Sequence, residues 1–487
     1  MRHRHGSSVW PSLGLVALLG LGASACGDDT GSTGGDESST TDAPGTTTLP
    51  LPTGSTQATD TLDPSTDTVD PDTTAEDTGP PSDLPPPEED DCDRLDALVA
   101  ALPDADPGDR PVLVDEFVRA VSYGDHGFPI LCDDRLAVAH LGEPGESLSL
   151  VGDFNGWTPD EHVLTEPVAG LGFYVGLVEP AGSPEGLYKL VRDGVDYFAD
   201  PLARRFGWDG FGEYSQIDPM PDRGHHERWP DFSEGIGPLQ PRTVTVYLPV
   251  EAQTQTDLPV LYMHDGQNLF SPEAFFGGWR VSETLEVAIG DGTLPPLVVV
   301  GIDNTSARFE EYTQVTDVIG GMRVGGQADD YASFVVDGVK PFVEQRHPVS
   351  SDPQDVGVMG SSLGGLVSLY IGLRYPEVFG QVASMSGTID WGTIGASNPT
   401  ILDLYAGSPP LGLRIYLDSG GSEGLGCPGD GSDNYCGNVA MAELLRGSGW
   451  ADEVDLFYRW DPGAPHNEAA WADRLLPALV DWFPAGG

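Results

Sequence analysis

The residues best placed to do chemistry are a serine in a tight turn and a histidine well downstream of it. Gly360-Ser361-Ser362-Leu363-Gly364 fits G-x-S-x-G, with a short β-type run before it (Val356–Met359) and a helix-period run after it (Leu363–Tyr375). Strand, sharp turn and helix in that order lift one hydroxyl above the edge of an α/β sheet, which makes Ser362 a candidate nucleophile. The pattern alone is weak, because with 64 glycines in 487 residues it should arise about once by chance. Gly420-Gly421-Ser422-Glu423-Gly424 fits as well, but a glycine- and cysteine-rich loop without helical period follows it. Context selects Ser362.

A serine hydroxyl attacks a carbonyl only if a base takes its proton and an acid holds that base. On an α/β sheet of this kind the order along the chain is serine, acid, histidine, each in a loop after a strand's carboxyl end. His466 is the only histidine after Ser362, and it stands in a loop that opens the last helix. It is therefore the candidate base. The acid stays open from residues alone: Asp418 ends a strand, Glu423 lies in the loop after it, and Asp430 and Asp433 are remoter options between Cys427 and Cys436. The backbone N–H of Leu363, and others near Gly266 and Gln267 in the loop His264–Phe270, would receive the oxyanion, each donor contributing roughly 3 to 4 kcal/mol. Gly266 lets that loop turn toward a ligand.

These residues need a scaffold, and the chain is long enough for two or three domains plus tails. Seventy-seven acidic against 23 basic residues give a net charge of −54. Such a field repels phosphate backbones and anionic lipid surfaces, which argues against nucleic-acid binding. The start is basic (Met1–His5), then apolar (Leu13–Gly22), then small (Ala23-Ser24-Ala25) ahead of Cys26. This reads as an export signal over 1–25, too short to span a membrane. A cysteine directly after small residues resembles a bacterial lipobox, with Cys26 lipidated; ordinary secretion is the competing reading. Setting Cys26 aside leaves four of five cysteines. Nearest-neighbour pairing, Cys92 with Cys132 and Cys427 with Cys436, is one of three connectivities. No C-x2-C knuckle suggests zinc. No metal or cofactor is expected.

Residues 26–91 are almost wholly Thr, Ser, Asp, Pro and Gly, too polar to offset their ordering entropy, and read as a disordered acidic linker. A short helical lead-in over 92–135 has helices at Leu95–Leu102 and Val112–Val121. Alternating runs at Ala137–Leu141, Ser147–Val151, Gly172–Val178 and Leu187–Val191 suggest a β-sandwich within 136–235. His225-His226-Glu227 lies in the connector and reads as a loop without metal-ligand spacing. From 236 to 487 the order becomes α/β, with strands at Thr243–Leu248, Pro259–Met263, Leu297–Ile302, Asp355–Met359, Val382–Met385, Leu413–Asp418 and Val454–Tyr458. Helices fit at Val281–Ile289, Ala328–Gln345, Leu363–Tyr375, Asn438–Arg446 and Ala469–Phe483. Such a succession builds one mostly parallel sheet with helices on both faces.

Two resemblances add to this. Val151-Gly152-Asp153-Phe154-Asn155-Gly156-Trp157, Tyr188–Val191 and Asp200-Pro201 resemble glycogen-binding-type modules of the immunoglobulin-like early-set class. That resemblance implies either a sugar stacked on Trp157 or, as favoured here, packing against the catalytic domain. Leu261–Phe270, Gly301-Ile302-Asp303-Asn304 with Glu311-Tyr312-Thr313, Gly360–Gly365, and His466-Asn467-Glu468 with Trp471 together resemble the putative-esterase family. It includes enterochelin esterases, feruloyl and acetylxylan esterases of carbohydrate esterase family 1, and S-formylglutathione hydrolases. The resemblance implies an α/β-hydrolase domain and a carboxylic ester hydrolase acting through an acyl-enzyme. Laid on the family's G-x-x-[DE] loop, Glu423 takes the acid position ahead of Asp418. By position, Asp303, Arg308, Glu310 and Tyr312 lie in a loop expected at the sheet's carboxyl edge and read either as pocket residues or as a hydrated loop with internal ion pairs, and Trp391 reads either as a wall for the acyl group or as core. The expected substrate is a polysaccharide-linked acyl or feruloyl ester, or a siderophore-type ester. A glycan-binding surface lipoprotein and an acyltransferase are the rival readings.

Overall fold

The computed structural model describes residues 90–132, 135–179, 186–421 and 432–483. The expected signal, Cys26, nearly all of the linker, Glu423, Cys427 and Asp430 lie outside the described residues. Those described fall in one compact unit.

Helices α1 (Asp91–Ala101) and α2 (Arg110–Tyr123) bury Leu95, Leu98, Leu102, Val114, Phe117 and Val121, the three-to-four-residue spacing of one helix face. The Cys92–Cys132 disulfide ties α1 to the strand region that follows. Strands β1 (Ile130–Leu131), β2 (Leu136–Leu141) and β5 (Phe173–Val178) form a three-stranded sheet. Alternation along β2 divides its side chains between two cores: Ala137 and Ala139 meet the helices, while Val138 meets Leu148, Leu150, Tyr188 and Leu190 of a second sheet. That second sheet holds β3 (Leu148–Gly152), β4 (His162–Val163), β6 (Leu187–Arg192), β7 (Asp196–Phe198), β8 (Arg205–Asp209) and β9 (Gly212–Gln216). Trp157 is half-buried, its indole N–H donated to Asp153 Oδ1 at 3.0 Å.

The sheet does not stop there. Strand β10 (His225–Phe232) pairs antiparallel with β8 on one side and with β11 (Arg242–Leu248) on the other. It thereby joins the β-rich half to β12 (Val260–His264), β13 (Val298–Ile302), β16 (Val356–Ser361), β17 (Gln381–Met385), β18 (Arg414–Ser419) and β19 (Leu456–Trp460) in one fourteen-stranded sheet. The loop expected at His225-His226-Glu227 is thus a buried strand. The buried charge of Glu227 is tolerated there because it is paired, and the His226 imidazole because it packs among aromatic rings. Glu227 lies 3.1 Å from Arg205 Nε and 3.4 Å from His225 Nε2, and the His226 ring packs 5.0 Å from Phe270 and 5.2 Å from Trp208. The hairpin β14 (Thr316–Ile319) and β15 (Met322–Gly325) stands apart from the sheet.

Strands β12, β13 and β16 to β19 run parallel. They are buried on both faces because alternate residues feed alternate cores. Val260, Tyr262, Val356, Val358, Ile415 and Leu417 enter one, with α7 (Leu363–Arg374) and α9 (Tyr435–Gly447). Leu261, Met263, Met359, Ala383, Met385 and Tyr416 enter the other, with α3 (Val281–Gly290) and α10 (Glu468–Trp482). This is the α/β class expected from the chain's succession of elements. Each buried Val, Leu, Ile or Met among them contributes roughly 1.5 to 3 kcal/mol. The short helices α4 (Arg308–Glu311), α5 (Ala328–Ser333), α6 (Lys340–Arg346) and α8 (Ile401–Tyr405) complete the chain; α5 runs through a π-helical segment, Phe334–Val339, into α6. Because the strands are parallel, their carboxyl ends, and the loops after them, share one edge.

The His226 imidazole is driven toward neutrality by burial and by the neighbouring charges of His225 and Arg228, its pKa lowered to about 3. The unfolded chain binds that proton near pH 6.5 and the folded chain does not, so stability is whole above 6.5. It falls as pH drops toward 3, by at most about 1.4 kcal/mol per pH unit for this group. His226→Phe should therefore lose less of its melting temperature than wild type between pH 7 and 4.5. Equal losses in thermal melts would contradict the assignment.

Candidate active site

Ser362 sits at φ 57° and ψ −120°, a conformation that costs a side-chain-bearing residue energy and is kept only where the surroundings enforce it. Three glycines provide that enforcement. A Cβ on Gly360 would fall 2.7 Å from the Gly364 carbonyl carbon, one on Gly365 would fall 2.6 Å from Ser384 Oγ, and one on Gly364 would lie 3.3 Å from Asp265 Oδ2. The turn is pinned by its own backbone as well: Ser362 N–H donates to Met385 O (3.0 Å), and Ser362 O accepts from Thr388 N (3.0 Å). Ser362 Oγ lies 3.4 Å from Thr388 Oγ1. Leu363 opens α7, so its N–H is one of the four a helix start leaves without an intrahelical partner.

Facing that N-terminus is the loop after β12. Asp265 takes φ 60° and the turn Gly266–Asn268 follows. Gly266 is obligatory, since a Cβ there would meet Asp303 Oδ1 at 2.7 Å. The Asp265 carboxylate receives Arg308 Nε and Nη2 at 2.7 Å each and Asn304 Nδ2 at 2.6 Å. Burial alone would raise its pKa, but the guanidinium and these hydrogen bonds outweigh burial and hold it below the usual carboxylate range. Asp303 has no such cation in contact; burial and the Asp265 charge push it up to about 7. Gln267 is exposed, its side-chain oxygen accepting Asn304 N–H at 3.1 Å.

His466 lies just before α10, whose first turn is capped by Asn467 through Ala470 N–H (3.1 Å). Its ring packs edge-on to Trp471 at 4.9 Å, and its Nδ1 lies 2.7 Å from Asp433 Oδ1. The loops that carry these residues are laced together. Gly421 N–H donates to Ala464 O (2.9 Å), Gly463 N–H donates to Gly421 O (2.7 Å), and Gly420 N–H donates to Asp433 Oδ2. The first two glycines of the second G-x-S-x-G match, Gly420 and Gly421, thus help to hold the histidine loop and Asp433.

The carboxylate at His466 is therefore Asp433, which the sequence ranked among the remoter options; Glu423 lies outside the described residues. Asp418 is fully buried but points elsewhere, with Oδ2 3.1 Å from Arg474 Nε and Oδ1 accepting Ser386 N–H at 3.2 Å. Burial, opposed by Arg474, pushes its carboxyl up to about 7. Of the pocket candidates, Tyr312 and Trp391 belong to the hydrophobic core rather than to an open wall. The Tyr312 hydroxyl accepts Asp265 N–H at 3.3 Å, and the Trp391 indole donates to Val315 O at 2.8 Å. Cys436 is disulfide-bonded. Among the described residues no three His, Cys, Asp or Glu side chains are grouped to hold a metal.

Ser386, Arg474 and Thr388 were not singled out by sequence reasoning. No local pattern marks them, since their partners lie on other elements.

Residues 238–482 match the family model described as "Putative esterase". The chain is 33% identical over 252 residues to the uncharacterized protein YbbA of Bacillus subtilis, covering 50% of this chain and 92% of that protein. It is 32% identical over 148 residues to the iron(III) enterobactin esterase of Escherichia coli K12, covering 30% of this chain but only 34% of that enzyme's length. A crystal structure of the enterobactin esterase from Shigella flexneri is similar at 21% identity and TM-score 0.40, over 72% of this chain and 94% of that one. The family match spans the serine turn, the loop facing it and the histidine loop, half of the chain in all: this protein belongs to the putative esterase family and is a carboxylic ester hydrolase.

Proposed function

We propose that this is an exported serine esterase working through Ser362, His466 and Asp433. The observation that carries the reading is the 2.7 Å contact between His466 Nδ1 and Asp433 Oδ1, at the same sheet edge as the strained serine turn. In this reading Asp433 keeps the proton on Nδ1, leaving Nε2 free to take the Ser362 proton as Oγ attacks the ester carbonyl carbon. The oxyanion is received by the N–H of Leu363 and by one from Gly266 or Gln267. His466 then returns its proton to the departing alcohol oxygen as that C–O bond breaks, leaving the acyl group on Ser362. Water, deprotonated by the same imidazole, attacks the acyl carbon; His466 then passes that proton to Ser362 Oγ as the Oγ–C bond breaks, and the acid leaves.

For the substrate, export favours an ester met outside the cytoplasm, either an acyl or feruloyl group on a polysaccharide or a siderophore-type ester. The likeness to an enterobactin esterase supports the second; the net charge of −54, which gives no help to a trianionic iron complex, supports the first. The basic, apolar and small residues ahead of Cys26 support export, with lipid on Cys26 and residues 27–91 as a tether.

Wild type should hydrolyse p-nitrophenyl acetate in a reaction blocked by a serine-reactive phosphonate, and Ser362→Ala should lose it. Turnover surviving in Ser362→Ala would refute the nucleophile, and acyl transfer to an added sugar in preference to water would favour an acyltransferase. Hydrolysis of feruloyl, acetyl-xylan and siderophore esters compared side by side ranks the substrates. Gly360→Ala forces a methyl against the Gly364 backbone, so it should cost about 1 to 3 kcal/mol in urea unfolding and slow phosphonate labelling of Ser362. Wild-type labelling would show that the turn does not depend on that contact.

A further inference from the structure

We propose that Ser386 is a positioning residue for the acid–base pair, with its hydroxyl aimed by Arg474 and Trp471, and Arg474 in turn held by the second buried carboxylate, Asp418. The inference rests on Asp433 and His466 acting as proposed above.

Hydrogen-bond capacity fixes the direction of each bond around Ser386 Oγ. A serine hydroxyl has one proton to give and two lone pairs to receive. Three groups surround Ser386 Oγ: Trp471 Nε1 at 3.0 Å, Arg474 Nη2 at 2.8 Å and Asp433 Oδ2 at 2.7 Å. An indole N–H and a guanidinium N–H can only donate. Both lone pairs are therefore taken, and the single proton has one place to go, Asp433 Oδ2. That oxygen also accepts Gly420 N–H and has Arg474 Nη2 at 3.5 Å. With Oδ2 engaged, Oδ1 is left for His466 Nδ1.

The donors are themselves fixed. Arg474 spans two partners, with Nε 3.1 Å from Asp418 Oδ2 while Nη2 reaches Ser386. The backbone N–H of the same Ser386 is shared between Asp418 O at 3.0 Å and Asp418 Oδ1 at 3.2 Å, so Asp418 holds both the serine's main chain and the cation that orients its side chain. Trp471 donates to Ser386 through its indole nitrogen and packs its ring against the His466 imidazole. Ser386 holds φ 50°, a strained value these bonds would maintain. All of these groups are buried except His466.

The test uses full-length protein and Ser386→Ala, Arg474→Lys and His466→Ala variants. Turnover is normalised by phosphonate titration, so that a loss of folded enzyme does not count. Deleting a hydrogen bond to a charged group should lower kcat for p-nitrophenyl acetate about ten- to a hundred-fold in Ser386→Ala, with KM within about twofold of wild type. The far-downfield proton resonance of His466 Nδ1–H, identified by its loss in His466→Ala, should shift or broaden in the same variant. Arg474→Lys, which keeps the charge but not the fork, should move both readouts in the same direction. Wild-type kcat together with an unmoved resonance in Ser386→Ala would overturn the proposal; should that variant not fold, the same result in Arg474→Lys would do so. If Ser362→Ala proves as active as wild type, the triad reading fails, whereas the resonance still tests the hold of Ser386 on the Asp433–His466 contact.

Discussion

In the proposed mechanism His466 collects a proton on one side and its ring must be held from the other, and the group placed to hold it is the buried carboxylate of Asp433, 2.7 Å away. Its side chain is 1% exposed, and a carboxylate taken out of water is costly unless its lone pairs are met. Ser386, Gly420 and Arg474 meet them. Those partners come from the ends of β17 and β18 and from α10. They converge because the strands are parallel and deliver their loops to one edge. The orientation of a single imidazole thus depends on the direction of the whole sheet.

The β-rich half bears on the same edge through continuity. Domains joined by a linker and a modest interface are expected to move against one another. Strand β10 instead shares ladders with β8 and β11, so separating the halves would break backbone hydrogen bonds and expose the buried ring of His226. Phe270, which packs on that ring, ends the loop that faces Ser362. The joint and the catalytic edge are thereby mechanically connected.

The serine turn and the histidine loop were legible in the sequence because each has a local signature: a glycine-flanked serine between strand and helix, and the only downstream histidine. The sheet strands were legible for a related reason, since residues buried on both faces leave continuous apolar runs. The acid was not. Asp433 and Asn434 hold left-handed backbone, φ 49° and 55°, which does not follow from the position of the strand end. Asp418 stands where a strand-end acid is expected, but Arg474, on the last helix, claims it. His225-His226-Glu227 read as a loop because partners such as Arg205 and Phe270, which make a polar strand tolerable, are distant in the chain. Tyr312 and Trp391 lie near the site in sequence terms, yet the core takes both, through contacts no spacing reveals.

The account stands on Asp433 being the acid. The most direct measurement is kcat on p-nitrophenyl acetate for Asp433→Asn beside Glu423→Gln, each normalised by phosphonate titration. If Asp433 orients His466, the first substitution lowers kcat by about 10⁴-fold, the scale seen when a triad acid is made neutral, and the second leaves it near wild type. A collapse in Glu423→Gln with Asp433→Asn still active would contradict the account.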